Sequence, residues 1–299
     1  LLNSQPMGFY APAQLVRDAK AHGVEVLPVD VCTSEAETVL VPPAGAPGEA
    51  PRASGLFGPL HAVRLGLDRV SGLSLETAQR IVDARARAPF ASAEDLAQRA
   101  RLDALELEAL AQADALKGLT GHRHQAAWAV AGIDTRATPM LRETRVHEAA
   151  ARLAPPTEAE EMQADYRRLG LSLTRHPLAL LRETLKQYKV EPAAVLRTYP
   201  NGRLARASGL VTHRQRPDTA NGTVFVTLED ETGPVNVIVW PSVVESQRKP
   251  LLGATLLTVY GQWQRDGDGD NAVMHLVARR MVDHTPLLNG LVSRSRDFR

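Results

Sequence analysis

Five basic residues, Arg203, Arg206, His213, Arg214 and Arg216, lie shortly before Phe225 and Asn236 in the chain. A planar guanidinium grips two phosphate oxygens at once. An exposed aromatic ring stacks a base for roughly 1–3 kcal/mol. Period-2 alternation turns Val224, Val226 and Leu228 to one side and Phe225 and Thr227 to the other. The next apolar stretch divides in the same way, with Val235, Val237 and Val239 inward and Asn236 and Ile238 outward. One aromatic, one amide and several arginines on a shared surface suit a single nucleic-acid strand. An outward Phe225 can equally dock another domain. Trp240 and Trp263 are further stacking candidates, with burial against neighbouring strands the favoured alternative.

A second candidate is Leu67-Asp68-Arg69-Val70-Ser71-Gly72-Leu73-Ser74, followed by a helical stretch carrying Ala78 and Ile81. This is the pattern of a helix-hairpin-helix. Gly72 supplies the tight turn, and the amides of Ser71, Gly72, Leu73 and Ser74 open the next helix, where a phosphate oxygen is held without regard to base identity. Ser74 stands where such hairpins usually carry a second glycine. From residue 60 to residue 120 there are eight Arg or Lys against nine Asp or Glu, so local charge does not decide between a DNA contact and a packed hairpin. A weaker second turn, Leu102-Asp103-Ala104-Leu105, lacks glycine and precedes Glu106 and Glu108, which would repel phosphate; it reads as structural.

Covalent and metal chemistry find little support. His122 and His124 have no neighbouring ligands, where zinc needs about four. Cys32, the only cysteine, has no evident histidine partner. Asp266, Asp268 and Asp270 alternate with glycine, but a calcium loop would need a closing glutamate where Val277 stands. No glycine-rich phosphate loop is present. Phosphoryl transfer to DNA needs metal-holding carboxylates that converge, and no strand-borne pair of aspartates is evident. No cofactor is expected in this chain.

Around these residues, Pro12 starts a helix stopped by Gly23, and Val24–Val31 reads as an edge strand. Helices follow over Thr77–Arg87, from Ala93 after Ser92, over Leu105–Leu116 and over Gly121–Ala131. Thr157-Glu158-Ala159-Glu160 is a capping box, and Pro177 opens a helix running to about Tyr188. Strands are expected at Leu204–His213, Thr223–Leu228, Val235–Val239, Thr255–Trp263 and Val273–Val282, with a helix at Val243–Leu252 after the third. That order is an OB-fold barrel. The fold class is therefore α+β and multi-domain, with segments at 1–41, 42–59 (a Pro/Ala/Gly-rich linker), 60–120 (helix-hairpin-helix), 121–200 (helical linker), 201–285 (OB barrel) and 286–299 (basic tail).

With 299 residues, 44% hydrophobic and 23% charged, the composition is that of a soluble globular protein. A net charge of +1 supplies no global field for nucleic acid. No apolar run reaches the roughly 18 residues of a membrane span, and no leader precedes the first helix. The lone cysteine fits a reducing cytoplasm, and the opening Leu1 fits a fragment or processed chain.

Taken together, Asn3-Ser4-Gln5-Pro6-Met7-Gly8-Phe9-Tyr10, the hairpin, Pro89-Phe90-Ala91-Ser92, Val211-Thr212-His213-Arg214-Gln215-Arg216-Pro217, Phe225–Gly233, Asn236–Trp240 and Ser295-Arg296-Asp297-Phe298 resemble bacterial C-family DNA polymerases, the error-prone branch in particular. The resemblance implies the C-terminal part of a template-directed DNA polymerase working in damage tolerance and induced mutagenesis. It makes residues 1–41 the end of the fingers region, and it places the Mg²⁺-dependent catalytic carboxylates before Leu1, so that this chain alone would be inactive. The implied partners are primer-template and single-stranded DNA, together with mutagenesis accessory proteins. No segment fits a sliding-clamp motif. The alternative is a barrel that docks an accessory protein with little DNA affinity.

Overall fold

The computed structural model of the chain describes residues 1–5, 10–42, 61–133, 153–267 and 272–288, and the backbone of 296–298. The linker beyond Pro42, the stretch between Ile133 and Leu153, Asp268 and Asp270 lie outside the described residues. The chain packs as two compact units, Leu1–Leu173 and Thr174–Arg299.

In the first unit, α1 (Pro12–Ala21) leads to β1 (Val26–Leu27), β2 (Val39–Val41) and β3 (Ala62–Arg64), which form a small sheet in the order β1-β3-β2. The expected strand over Val24–Val31 is only two residues long, and it does lie at the sheet edge. Val29 and Val31 instead enter the core beside it, and the Val31 amide donates to the Ala115 carbonyl. Helices α2 (Leu75–Arg87), α3 (Ala93–Ala100), α4 (Ala104–Gln112), α5 (Lys117–Thr120), α6 (Arg123–Ala131) and α7 (Glu158–Arg168) complete the unit. Their starts are the ones the side chains dictate. Ser74, Ser92, Asp103 and Thr157 each accept a hydrogen bond from the backbone three residues on. The helix expected over Leu105–Leu116 stops at Gln112, because Asp114 turns left-handed at φ 58°. One core holds Val16, Val26 and Val31 together with Leu65, Leu67, Ile81, Leu107 and Leu110. The 1–41 segment and the hairpin region therefore fold as one body.

The second unit starts with α8 (Pro177–Gln187) and α9 (Ala193–Leu196). The linker expected over 121–200 is thus divided, with α7 in the first unit and α8 and α9 in the second. Five strands follow: β4 (Leu204–Gln215), β5 (Val224–Asp230), β6 (Gly233–Val239), β7 (Leu256–Asp266) and β8 (Val273–Asp283). They run β5-β6-β8-β7-β4, and β4 also pairs with β5, so the sheet closes on itself. The β6–β8 pair is parallel and the other barrel pairs are antiparallel. This is the OB barrel, its interior filled by Val226, Val237, Val239, Leu257, Val259, Trp263 and Leu276. Two short helices, α10 (Pro241–Ser246) and α11 (Arg248–Gly253), occupy the place of the single helix expected after the third strand. The basic tail contributes β9 (Arg296–Phe298), parallel to His213–Gln215 of β4. Three residues among charges carry no readable strand period.

Closure depends on Gly209. There β4 passes from pairing with β7 to pairing with β5. A Cβ at Gly209 would sit 2.6 Å from the Glu229 amide nitrogen and 2.8 Å from the Leu228 Cβ.

Candidate nucleic-acid interface

The outer face of β5 and β6 is built as the alternation dictates. Val224, Val226, Leu228, Val235, Val237 and Val239 are buried, while Phe225 and Asn236 are exposed. Phe225 is 37% exposed and lies across from Gln215 on one side and Ile238 on the other. Thr227 lies between His213 and Asn236, its hydroxyl 3.3 Å from the Asn236 side-chain oxygen. His213 is half-buried, its ring nitrogen 3.1 Å from the Thr212 hydroxyl. Arg216 follows β4 in the loop to β5 and is exposed. The surface therefore offers one ring for stacking, amides at Gln215 and Asn236 for base edges, and one adjacent guanidinium.

Arg214 does not belong to it. Its side chain is buried, and it donates from Nε to the Leu251 carbonyl at 2.7 Å and from Nη2 to the Ala254 carbonyl at 2.5 Å. The cause is a bulge in β4 between Val211 and His213. One extra residue reverses the alternation, turning His213 out and Arg214 in. Arg203 and Arg206 stand apart as well. The Arg203 guanidinium stacks on Tyr199, 3.7 Å from the ring centroid. Arg206 lies over Tyr260 and donates to the Tyr188 carbonyl at 2.9 Å. Of the two tryptophans offered as stacking candidates, Trp263 is core and Trp240 is 51% exposed.

In the hairpin, Gly72 has φ 96°, the turn conformation its position requires. The Ser71 amide, expected to face a phosphate, donates to the Arg168 carbonyl of α7 at 2.7 Å, and the Leu73 amide donates to Val70. Gly72 and Ser74 have no internal acceptor for their amides among the described residues. The Ser74 side chain caps Thr77. In the second turn, Glu106 accepts from Thr77 and from Arg80 at 3.1 Å, so its carboxylate ties the two hairpins together.

No group of three His, Cys, Asp or Glu able to hold a metal occurs among the described residues. His122 caps α6, His176 caps α8, and the His124 ring meets the Ala154 carbonyl. The Cys32 thiol is pushed up to about 11, by burial first and then by Asp30, the wrong direction for a nucleophile. No helix among the described residues is long and apolar enough to cross a membrane.

A family described as helix-hairpin-helix motif matches residues 23–126, and one described as OB-fold nucleic acid binding domain matches residues 205–282. An error-prone DNA polymerase of Azoarcus sp. (strain BH72) is 52% identical over 298 residues, covering 100% of this chain and 27% of that protein. The error-prone DNA polymerase of Bordetella parapertussis is 53% identical over 304 residues, again 100% of this chain and 27% of that one. Methylococcus capsulatus has one at 50% identity over 308 residues, 28% of its length. This chain is a relative of the error-prone DNA polymerases. It spans about a quarter of the length of those relatives. Every segment quoted for the resemblance falls inside the aligned region, since the alignment covers the whole chain.

Tyr199, Tyr260 and Arg280, which surround the displaced arginines, were not legible from sequence. Strand register sets Arg206 and Arg280 against Tyr260, whereas Tyr199 lies in the bend before β4, four residues from Arg203. Among nearby groups, burial lowers the titration of His284, whose ring lies 4.8 Å from that of Tyr188.

Proposed function

We propose that this chain is a DNA-holding region of an error-prone DNA-directed DNA polymerase that serves translesion synthesis and damage-induced mutagenesis. In this reading the β5–β6 face holds the single-stranded template, and the Gly72–Ser74 turn touches the duplex backbone. Chemistry belongs to metal-binding carboxylates outside this chain, with Mg²⁺ the expected ion. Cytoplasmic location and mutagenesis accessory proteins as partners belong to the same reading. The observation that carries it is the exposed Phe225 beside Gln215, Thr227 and Asn236 on the outer face of β5 and β6. The test is fluorescence anisotropy of a labelled primer-template with a single-stranded overhang, titrated with the 299-residue chain at several salt concentrations. Tighter binding to the overhang than to blunt duplex is expected, weakening steeply with salt as phosphate contacts do. Phe225→Ala with Asn236→Ala should weaken overhang binding by about 2 kcal/mol. Unchanged affinity would transfer the face to protein docking, a reading favoured by Trp240 and Leu252, 51% and 54% exposed at the ends of the α10–α11 segment.

A further inference from the structure

On the wall formed by β4, β7 and β8, the register sets Arg206 beside Tyr260 and Tyr260 beside Arg280. The two guanidinium carbons lie 5.2 and 5.5 Å from the centroid of the one ring. Both are within cation–π range, and stacking pre-orders a guanidinium; Arg206 also gives one N–H to the Tyr188 carbonyl at 2.9 Å. Arg279 is exposed next to them and donates to the Gln262 side chain at 3.3 Å. Among the described residues, Arg206, Arg279 and Arg280 form no ion pair, whereas Arg182 of the same unit is paired to Asp230 and Glu231. Two acids in the strands and turns alongside are Asp283, whose carboxylate accepts from the Thr285 amide, and Glu191, whose amide donates to the Arg206 carbonyl.

The row exists because of a second bulge. Tyr260 pairs with Arg280 but Gly261 pairs with Ala278, so Arg279 is an extra residue on β8. Strict alternation from Leu276 and Ala278 would drive Arg280 into the barrel. The bulge sends Met281 inward instead and leaves Arg280 exposed. Gly261 permits it, since a Cβ there would lie 2.0 Å from the Val277 carbonyl oxygen. Bulges of this kind re-aim side chains at binding sites.

We propose that Arg206, Arg279 and Arg280, arrayed on Tyr260, are a second nucleic-acid contact that grips the phosphodiester backbone of a single strand leaving the β5–β6 face. The inference rests on the single-strand reading above. Arg206 and His213 are seven residues apart on β4, about 23 Å of strand. One base cannot touch both, whereas an OB fold occupies roughly 4–16 nucleotides.

The test uses the whole chain and labelled oligothymidylates of about 4 and about 16 nucleotides, the two ends of that range. Both altered arginines are exposed, and circular dichroism checks that the fold is kept. Arg279→Ala with Arg280→Ala should bind the short oligonucleotide like the parent. On the long one it should lose about tenfold, with the slope of log K against log salt reduced by about 1.4, two phosphates at about 0.7 each. Phe225→Ala should weaken both lengths. If the arginine variant matches the parent on the long oligonucleotide while Phe225→Ala is weakened, the row is not a nucleic-acid contact and the β5–β6 reading stands. If only the arginine variant is weakened, the row stands and the β5–β6 reading falls. A parent chain that binds neither length removes both.

Discussion

At the residue scale, identical side chains take opposite roles according to one hydrogen bond or one bulge. Arg214 looks from sequence like its neighbours Arg206 and Arg216, yet it is a structural strut across the carbonyls of Leu251 and Ala254. Removing it strands two buried acceptors, so Arg214→Ala is expected to destabilise the barrel by about 2–4 kcal/mol in urea denaturation. Arg214→Lys should recover little of this, because a point-like ammonium cannot reproduce the fork. Phe225 was legible because its strand alternates without interruption. Arg214 and Arg280 were not, because each sits at or just past a bulge, and one inserted residue inverts every inward or outward assignment beyond it.

At the scale of elements, the second unit is tied together at one turn. The Asp230 carboxylate accepts from the amides of Thr232, Gly233 and Ala193, closing the β5–β6 turn and capping α9 at once. Arg182 of α8 binds Glu231 twice at 2.6 Å and reaches Asp230 at 3.3 Å. Burial raises the Glu231 carboxyl, but the Arg182 hydrogen bond and charge outweigh it and hold Glu231 below its ordinary range. Its folded pKa is thus below the unfolded value of about 4.3, so the stabilisation is fully present above that value and is lost as pH falls through the folded one. Arg182→Leu should cost about 2 kcal/mol at pH 7. Its deficit against the parent should shrink in urea melts at pH 3; a deficit unchanged between the two pH values would refute the assignment. Barrel closure makes a second demand at this scale. Gly209→Ala pushes a methyl into the Glu229 backbone and should cost about 1–3 kcal/mol by overpacking. The helix starts were readable because caps act within four residues. The pairing partner of each strand is set by contacts far along the chain, which is why Tyr260 beneath Arg206 and Arg280 carries no local signal.

At the scale of the whole molecule, two separate hydrophobic cores account for two compact units, and neither shares a buried residue with the other. Sequence composition pointed to six segments because it registers linkers and changes of period. Cores are set by packing, so the first strands and the hairpin helices merged, and the helical stretch between hairpin and barrel split at Leu173 and Thr174. The second unit contains its own caps, its closed barrel and both arginine sets, which leads to a strong expectation. Residues 174–299 expressed alone should unfold in a single cooperative transition and bind an oligothymidylate within about threefold of the whole chain, since each single-strand contact named above lies within that unit. Duplex binding should fall with removal of residues 1–173, because the Gly72–Ser74 turn goes with them. Retention of full duplex affinity by the isolated barrel would take the hairpin out of the DNA contact altogether and leave its helices a purely structural task, consistent with the Ser71 amide already being spent on Arg168.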